Sequence, residues 1–535
     1  MRAVSDVDDL RAQLRDRGYL SRGIERWFAL DPWSSRTFWV ELATVAAKAA
    51  TLIAVFGVLP MVAVMLVRNR PLTALETLEL FLLYAAAWSV MAFAAIVLTA
   101  LLLKIRPELP IDTPRALLFI SILVSAVLAA PFAVWWYRFD TEPSAIELIA
   151  GVALAGIHFV VTTIVTSAAL LSFSIYEVQR VPAIHQKPRT IPLAVAAAIL
   201  IAILFVPAYA TPDRPQAAPL QVVTTPTQNR IALVAVDGLT FEIAQSRPDL
   251  ARQFVSTTSL RTVPGRSTTE RWASIGTGVP APLHGVRSVD GVRLIGGSNV
   301  LQSVSRADLV LHTIAPEIRL ARREPLPPTV RRREYVWEIF SDRGVSSLAV
   351  NWWTSESTRS GTLTSIGQET IFSRDPLNVD SSATRHFLQS IDAQQPRFAT
   401  VYLPALDVVL NRLAVDESRR LALSLKALDG VVAAVAAVRS RGYDVVLIGA
   451  PGEGVSGHAV IGSTFAMSSP SIAFDIAPTL CALLGFPPSE EMPGRSLVTP
   501  EPPRIASYGA RVGGKAPARL DQEYYESLRS LGYIR

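Results

Sequence analysis

The chain has 535 residues, half of them hydrophobic and only 18% charged, with a formal net charge of +6. It is too long for one ordinary domain and too apolar for a wholly soluble one, so a membrane part is implied. The basic residues are scattered or flank apolar runs, with no stripe of Lys/Arg interleaved with aromatics, which excludes nucleic acid as the expected partner and leaves membrane topology as the source of the excess. Cys481 is the only cysteine, so no internal disulfide can form and the fold must be held by its core.

The apolar runs all precede residue 211, at Ala49–Val67, Leu80–Leu103, Ala116–Tyr137, Ile146–Leu171 and Ile191–Ala210. Each is near the ~20 residues a helix needs to cross the hydrocarbon layer. The first starts too late, and is too long, for a cleaved signal, and four more follow it. The expected organisation is a cytoplasmic arm over 1–48, then a transmembrane bundle of about five helices over 49–210. Lys/Arg bias orients it. Arg2, Arg11, Arg15, Arg17, Arg22, Arg26 and Arg36 precede the first run; Lys104, Arg106 and Arg115 follow the second; Arg180, Lys187 and Arg189 follow the fourth. The intervening connections carry only Arg68, Arg70 and Arg138, which puts the N-terminus in the cytoplasm and the C-terminal part outside a plasma (inner) membrane. Trp135, Trp136 and Tyr137 then end the third span in the outer interface, where amphipathic rings prefer to sit. His158, inside the fourth run, reads as a neutral imidazole satisfied within the bundle rather than a proton relay.

A Pro-rich stretch, 211–229, serves as a short stiff linker. From there the texture changes. β-Branched runs at Ile231–Val236, Ser347–Asn351, Phe398–Leu403 and Val445–Ile448, with an amphipathic helix over Glu417–Arg441, predict an α/β domain over 230–500: a mostly parallel sheet with helices on both faces. Residues 501–535 form a tail whose Tyr524–Gly532 segment predicts a short amphipathic helix packed on the domain or on a partner. Functional groups in such sheets gather at the carboxyl ends of strands. Asp237-Gly238 ends the first strand, Asp407 follows the Phe398–Leu403 strand, and Ala450-Pro451-Gly452 follows the last. An Asp-Gly in that position is by itself most often just a turn.

Longer blocks carry more. Val234-Ala-Val-Asp-Gly-Leu239, Ser267-Thr-Thr-Glu-Arg-Trp-Ala-Ser-Ile-Gly-Thr-Gly278 with His284-Gly285, and Asp475-Ile-Ala-Pro-Thr-Leu-Cys-Ala-Leu-Leu-Gly485 with Pro493–Leu497 stand in order. Fainter blocks lie at Glu334–Phe340 and Ala349–Trp353. Together they resemble the type I phosphodiesterase/nucleotide pyrophosphatase branch of the alkaline phosphatase superfamily, over roughly 230–500. The resemblance implies an alkaline-phosphatase-like sheet and two divalent metals, usually zinc, that activate a Ser or Thr for attack on phosphorus. Such chemistry needs metals because an alcohol is a poor nucleophile near neutral pH and phosphate oxygens must be neutralised. It further implies Asp237 as a metal ligand, Thr268 as the nucleophile with Ser267 or Thr269 as alternatives, Asp407 as a ligand of the second metal, and His458 as its late histidine.

The chain departs from that pattern at three positions. The family's Asp-x-x-x-His runs here from Asp407 to Asn411, and its strand-end Asp-His pair falls on Ala450-Pro451. Asparagine is a weaker ligand than imidazole, and Ala450 and Pro451 donate no side chain. Glu453 stands close enough in sequence to substitute. At most one divalent ion, weakly held, is expected. Arg271, Arg331, Arg332 and Arg333 read as solvated surface rather than a phosphate clamp, and Trp352-Trp353 as packing rather than a stacking platform.

Three functions fit these residues. One is a membrane-anchored extracytoplasmic phosphodiesterase/phosphatase-like hydrolase with a Thr nucleophile and a reduced metal site. A second is a pseudoenzyme serving as an envelope binding module for a phosphoester, lipid head group or polymer. The third is a phospho-head-group transferase, since five spans before such a domain resemble the lipoteichoic acid synthases and lipid A phosphoethanolamine transferases; the latter rely on disulfides that a single cysteine excludes. Fold alone does not choose among them.

Overall fold

In a computed structural model of the protein, the described residues are 13, 36–69, 72–105, 114–139, 145–179, 198–199, 201–202, 227–263, 267–302, 308–453, 455, 457–469, 472–511 and 522–534. They fall into two compact units, one built on the N-terminal helices and one on the C-terminal α/β domain.

The first unit holds four long helices: α1 (Arg36–Arg68), α2 (Ala74–Ile105), α3 (Pro114–Phe139) and α4 (Ala145–Gln179). Stretches within them at Leu42–Leu66, Ala74–Leu103, Arg115–Trp135 and Gly151–Leu171 are long and apolar enough to cross a membrane. Their outward faces carry large aliphatics such as Leu82, Val90 and Ile164, while small and aliphatic residues such as Ala46, Ala50, Ala92 and Leu128 pack inside. An outside as apolar as the inside is what lipid, and not water, permits. The expected fifth span, Ile191–Ala210, lies outside the described residues apart from helical residues 198–199 and 201–202. Trp135, expected in the outer interface, is buried within this unit, and its indole N–H donates to Asp308. His158 is buried against Phe132 and next to Gly57.

In the second unit an eight-stranded sheet is formed by β1 (Ile231–Asp237), β2 (Ser256–Leu260), β6 (Ser347–Val350), β7 (Thr358–Ser360), β8 (Leu363–Ile366), β9 (Phe398–Leu403), β10 (Asp444–Ala450) and β11 (Ala459–Ser463). A three-stranded sheet of β3 (Asp290–Leu294), β4 (Val300–Leu301) and β5 (Ala321–Pro325) stands beside it in the chain, in the order β4-β3-β5. The large sheet runs β2-β11-β10-β1-β9-β6-β8-β7. Its middle is parallel from β10 to β8, and its edges, β11, β2 and β7, are antiparallel. The centre follows from composition: every residue of β1 and β9 is buried, as uninterrupted apolar runs require of strands covered on both faces.

Helices α5 (Thr268–Thr277), α6 (Val336–Asp342), α7 (Pro376–Gln394), α8 (Glu417–Arg439) and α9 (Ile476–Leu483) cover the sheet, and α10 (Gln522–Ser530) lies in the tail. Although α8 is long and apolar enough to pass for a membrane span, its apolar stripe is spent on the sheet through Ala427, Leu428, Val431, Val435 and Val438. Asp416 caps its first turn, and Asp429 on its exposed side pairs with Arg247. The tail packs on its own domain, with Leu528 and Leu531 in the common core.

Candidate functional site

The parallel strands deliver their carboxyl ends side by side, and the register sets Asp237 beside Ala450. Gly238 follows with φ 83°, and a Cβ there would stand 2.5 Å from the Asp407 amide nitrogen. The Asp-Gly turn is therefore also the place where the chain after β9 passes close over β1, bringing Asp407 to Asp237. Both carboxylates are fully buried.

Asp407 begins a π-helical turn, Val408–Arg412, closed by the Leu413 amide donating to the Val408 carbonyl at 2.9 Å. Such a turn spans five residues per hydrogen bond, so it lays the side chains four and five residues on back over Asp407. Asn411 Nδ2 donates to Asp407 Oδ1 at 2.8 Å, and Arg412 Nε donates to Asp407 Oδ2 at 2.7 Å. The same guanidinium donates through Nη2 to Thr268 Oγ1 at 2.9 Å and to Glu453 Oε2 at 3.2 Å, and through Nη1 to the Gly532 carbonyl at 3.3 Å. Its carbon lies 4.1 Å from the centre of the Tyr533 ring. Arg412 is thus the hub of the centre, and it was missed in the sequence, where its one signal was a cation directly after the asparagine that replaces the expected histidine.

Thr268 opens α5, whose N-cap Ser267 accepts from the Glu270 amide at 3.1 Å. Ser267 Oγ also donates to the Arg287 carbonyl, and Thr269 Oγ1 to the Ser288 carbonyl at 2.7 Å. Those two hydroxyls are committed to backbone. Of the three adjacent candidates, only Thr268 is bonded to the guanidinium that holds Asp407. Arg271, one turn on, is buried rather than solvated, and its Nη1 donates to the Pro451 carbonyl. Arg331 also departs from the surface reading: its side chain is buried and held by both oxygens of Glu338 at 2.6 Å. Trp352 and Trp353 are buried, Trp352 donating to Thr400 Oγ1 at 3.0 Å, so they pack as expected.

Glu453 reaches the centre only through Arg412, with its side chain 40% exposed. His458 is an expectation the geometry does not meet. A bridge between Thr240 and Ala459, together with the Phe241 amide donating to the His458 carbonyl, keeps this stretch beside Thr240–Glu242. There His458 is exposed, with Glu242 as its charged neighbour. A second imidazole, His284, accepts from the Val286 amide at Nδ1, so its Nε2 carries the proton and is 2.9 Å from Ser274 Oγ. Burial, then the charges of Arg287 and Arg331, push its pKa down to about 3, and it serves as a neutral structural group.

Electrostatics explain why the cluster tolerates two carboxylates. Burial, and then the charge of Asp407, raise Asp237 to about 7, against the opposing pull of Arg271, Arg412 and the Tyr402 hydroxyl that donates to its Oδ2 at 3.0 Å. Arg412 is held above its ordinary value: burial disfavours the cation, but Tyr533 and Asp407 outweigh it. A guanidinium keeps its proton throughout.

A divalent metal does not fit these residues. Each oxygen of Asp407 already accepts a hydrogen bond, and the cation that donates one of them also binds Thr268, the other group a metal would bridge. Asp237 Oδ1 is the one oxygen of this carboxylate pair without a partner, and a zinc site takes three or four protein ligands. Among the described residues no three His, Cys, Asp or Glu side chains converge in a metal-holding group.

Residues 232–450 match the family model of type I phosphodiesterases/nucleotide pyrophosphatases. The α/β domain is phosphodiesterase-like. The match includes the Val234–Leu239 and Ser267–Gly278 blocks on which the resemblance rested. Among curated proteins, none matches in sequence. Solved structures similar to this chain include phosphonoacetate hydrolase from Sinorhizobium meliloti, at 13% identity over 43% of this chain and 58% of that one, with TM-score 0.31. Human ectonucleotide pyrophosphatase/phosphodiesterase 5 has 10% identity over 50% of this chain and 97% of that one, with TM-score 0.35. The chain thus spans little more than half the length of the hydrolase, and likenesses this low add nothing to the family match.

Proposed function

We propose that the phosphodiesterase-like domain is a catalytically inactive, membrane-anchored binding module in which Arg412 stands where the family's catalysis requires metal. The observation that carries this reading is the guanidinium joined at once to Asp407 and Thr268. A nucleophilic hydroxyl must lose its proton to a base and have its phosphate partner neutralised. Here Arg412 cannot act as a base, its N–H groups are committed to four acceptors and a ring, and Thr268 Oγ1 spends a lone pair accepting from it. Thr268 is itself buried, as are Asp237 and Asp407, so no phosphoester reaches it without displacing this network. The Lys/Arg bias supports placing the domain outside a plasma (inner) membrane with the N-terminus in the cytoplasm. Its partner there, a phosphoester-bearing head group or envelope polymer, is bound outside this closed centre and without turnover.

A second reading rests on Glu453. Its carboxylate and Thr268 Oγ1 share Arg412 Nη2, which sets a solvent-reaching base beside the hydroxyl. In that reading Glu453 takes the Thr268 proton as Oγ1 attacks phosphorus, the ester P–O bond breaks and the departing alkoxide takes that proton from Glu453; water then attacks the phosphothreonine, releasing the phosphate and restoring Thr268, with Arg412 neutralising the phosphoryl oxygens. Elemental analysis of the full-length protein in nanodiscs, with and without zinc dialysis, and an assay on bis-p-nitrophenyl phosphate separate the two. The inactive module shows neither stoichiometric metal nor turnover. Metal-free turnover abolished in both Thr268→Ala and Glu453→Gln replaces it with the second reading, and two tightly bound ions with brisk turnover overturn both.

A further inference from the structure

The chain between β3 and β5 does not behave as one domain loop. Residues 294–297 and 308–321 group with the long helices of the first unit rather than with the α/β domain. Within that unit Asp308 is buried and accepts from the Tyr84 hydroxyl of α2, from Trp135 Nε1 of α3 at 3.0 Å and from the Leu311 amide at 3.0 Å. Leu311 and Ala315 are fully buried on the same side. The opposite side carries Leu309, Ile314, Ile318 and Leu320, which are between 43 and 62% exposed. Ile295 is exposed too, and a Cβ built on its neighbour Gly296 would lie 3.8 Å from Glu79 Oε1 and 3.9 Å from Leu75 Cδ2, both of α2. Leu75 itself belongs to the outward aliphatic face of α2 with Leu78 and Leu82.

We propose that residues 294–297 and 308–320 form a second membrane attachment, an interfacial insertion pinned to the helices by Asp308 with its aliphatic side chains in the lipid leaflet. Water does not account for the arrangement: every large aliphatic left exposed forgoes ~25 cal/mol per Å² of burial, and five of them stand together. Lipid does. The patch continues the lipid-facing stripe of α2 through Leu75, and exposed Glu317 and Arg319 alternate with the aliphatics, as in segments lying at the headgroup boundary with charged heads reaching water. The inference rests on the long helices crossing the bilayer and is independent of whether Thr268 works.

The test uses full-length protein in phosphatidylcholine nanodiscs. Cys481 is buried and its thiol is pushed up to about 12 by that burial, so a bimane label goes only to introduced cysteines. Leu309→Cys and Ile318→Cys are compared with Leu421→Cys, an exposed position on α8. Acyl-chain-brominated lipid is expected to quench the first two several-fold more than the third, and aqueous iodide the reverse. Iodide quenching at 309 and 318 equal to that at 421 overturns the proposal. So does protection from both quenchers, which marks a protein cover in place of lipid. In a background of Asp308→Ala the two probes are expected to lose most of their bromine quenching; unchanged quenching there refutes the pinning role.

Discussion

Asp407 and Asp308 are buried carboxylates that each stand at the head of a π-helical turn, Val408–Arg412 and Val310–Ile314, yet they are satisfied in opposite ways. Asp407 lies against a resident cation that also holds Thr268 and Glu453. Asp308 is met by a phenol, an indole and a backbone amide, donors without charge from segments up to 224 residues away. The difference separates two uses of one local geometry. Where the turn supplies its own guanidinium, the carboxylate has no demand left for a metal; where it supplies none, the carboxylate becomes a tie between distant segments.

Breaking the first arrangement costs most. Arg412→Ala leaves Asp407 buried without its partner, and a loss of about 3–5 kcal/mol is expected, read as a lower thermal midpoint of the full-length protein. Arg412→Lys, keeping the charge without the fork, recovers only part of it. An unchanged midpoint in Arg412→Ala contradicts the hub role. Metal affinity sharpens the same point. Asn411→His, Ala450→Asp and Pro451→His together are expected to bring no stoichiometric zinc while Arg412 remains, and to bring it once Arg412→Ala is added, as elemental analysis reports.

The tie is weaker. Asp308→Ala orphans the Tyr84 hydroxyl and the Trp135 indole, at a cost of about 1–3 kcal/mol, with a change in tryptophan emission as the companion signal. Asp308→Asn, which keeps an acceptor, loses less. Gly452→Ala comes next. Its Cβ would stand 1.8 Å from Asp407 Oδ1, so the loop after β10 must move, with about 1–3 kcal/mol lost. A stable, unshifted variant would show that the loop is not held over Asp407.

The smallest effect is a pH dependence. Asp237 is raised from 3.8 to about 7 in the folded domain. Between those values the native state keeps a proton that the unfolded chain has released, so stability falls as pH rises through this window and levels off above it. Asp237→Asn removes that slope. Its midpoint relative to the parent is expected to be higher at about pH 8 than at about pH 5, and equal differences at both would locate the buried charge elsewhere.

How much of this was legible varies with the kind of signal. β1 and β9 could be read almost to the residue, because a short apolar run with so few polar residues has few alternatives to a strand covered on both faces. Asp237 and Asp407 could be read as strand-end neighbours because strand ends are predictable places, and the structure brings them together with Asn411. His458 was not placed correctly, since proximity in sequence to β10 says nothing about which way an antiparallel edge strand leads the chain. Arg271 and Arg331 looked like surface charges because a cation's burial depends on partners, Pro451 and Glu338, that the sequence does not put beside it.

The sequence by itself determined the apolar helices, the parallel core and the strand-end carboxylates, all of which follow from periodicity, composition and motif. Only the tertiary structure decided what surrounds those carboxylates. A π-helical turn carries Arg412 back over Asp407, the tail brings Gly532 and Tyr533 to the same guanidinium, and the β3–β5 segment joins the helical unit through Asp308. Each depends on one extra residue in a turn or on contacts across more than a hundred residues, and no local pattern encodes either.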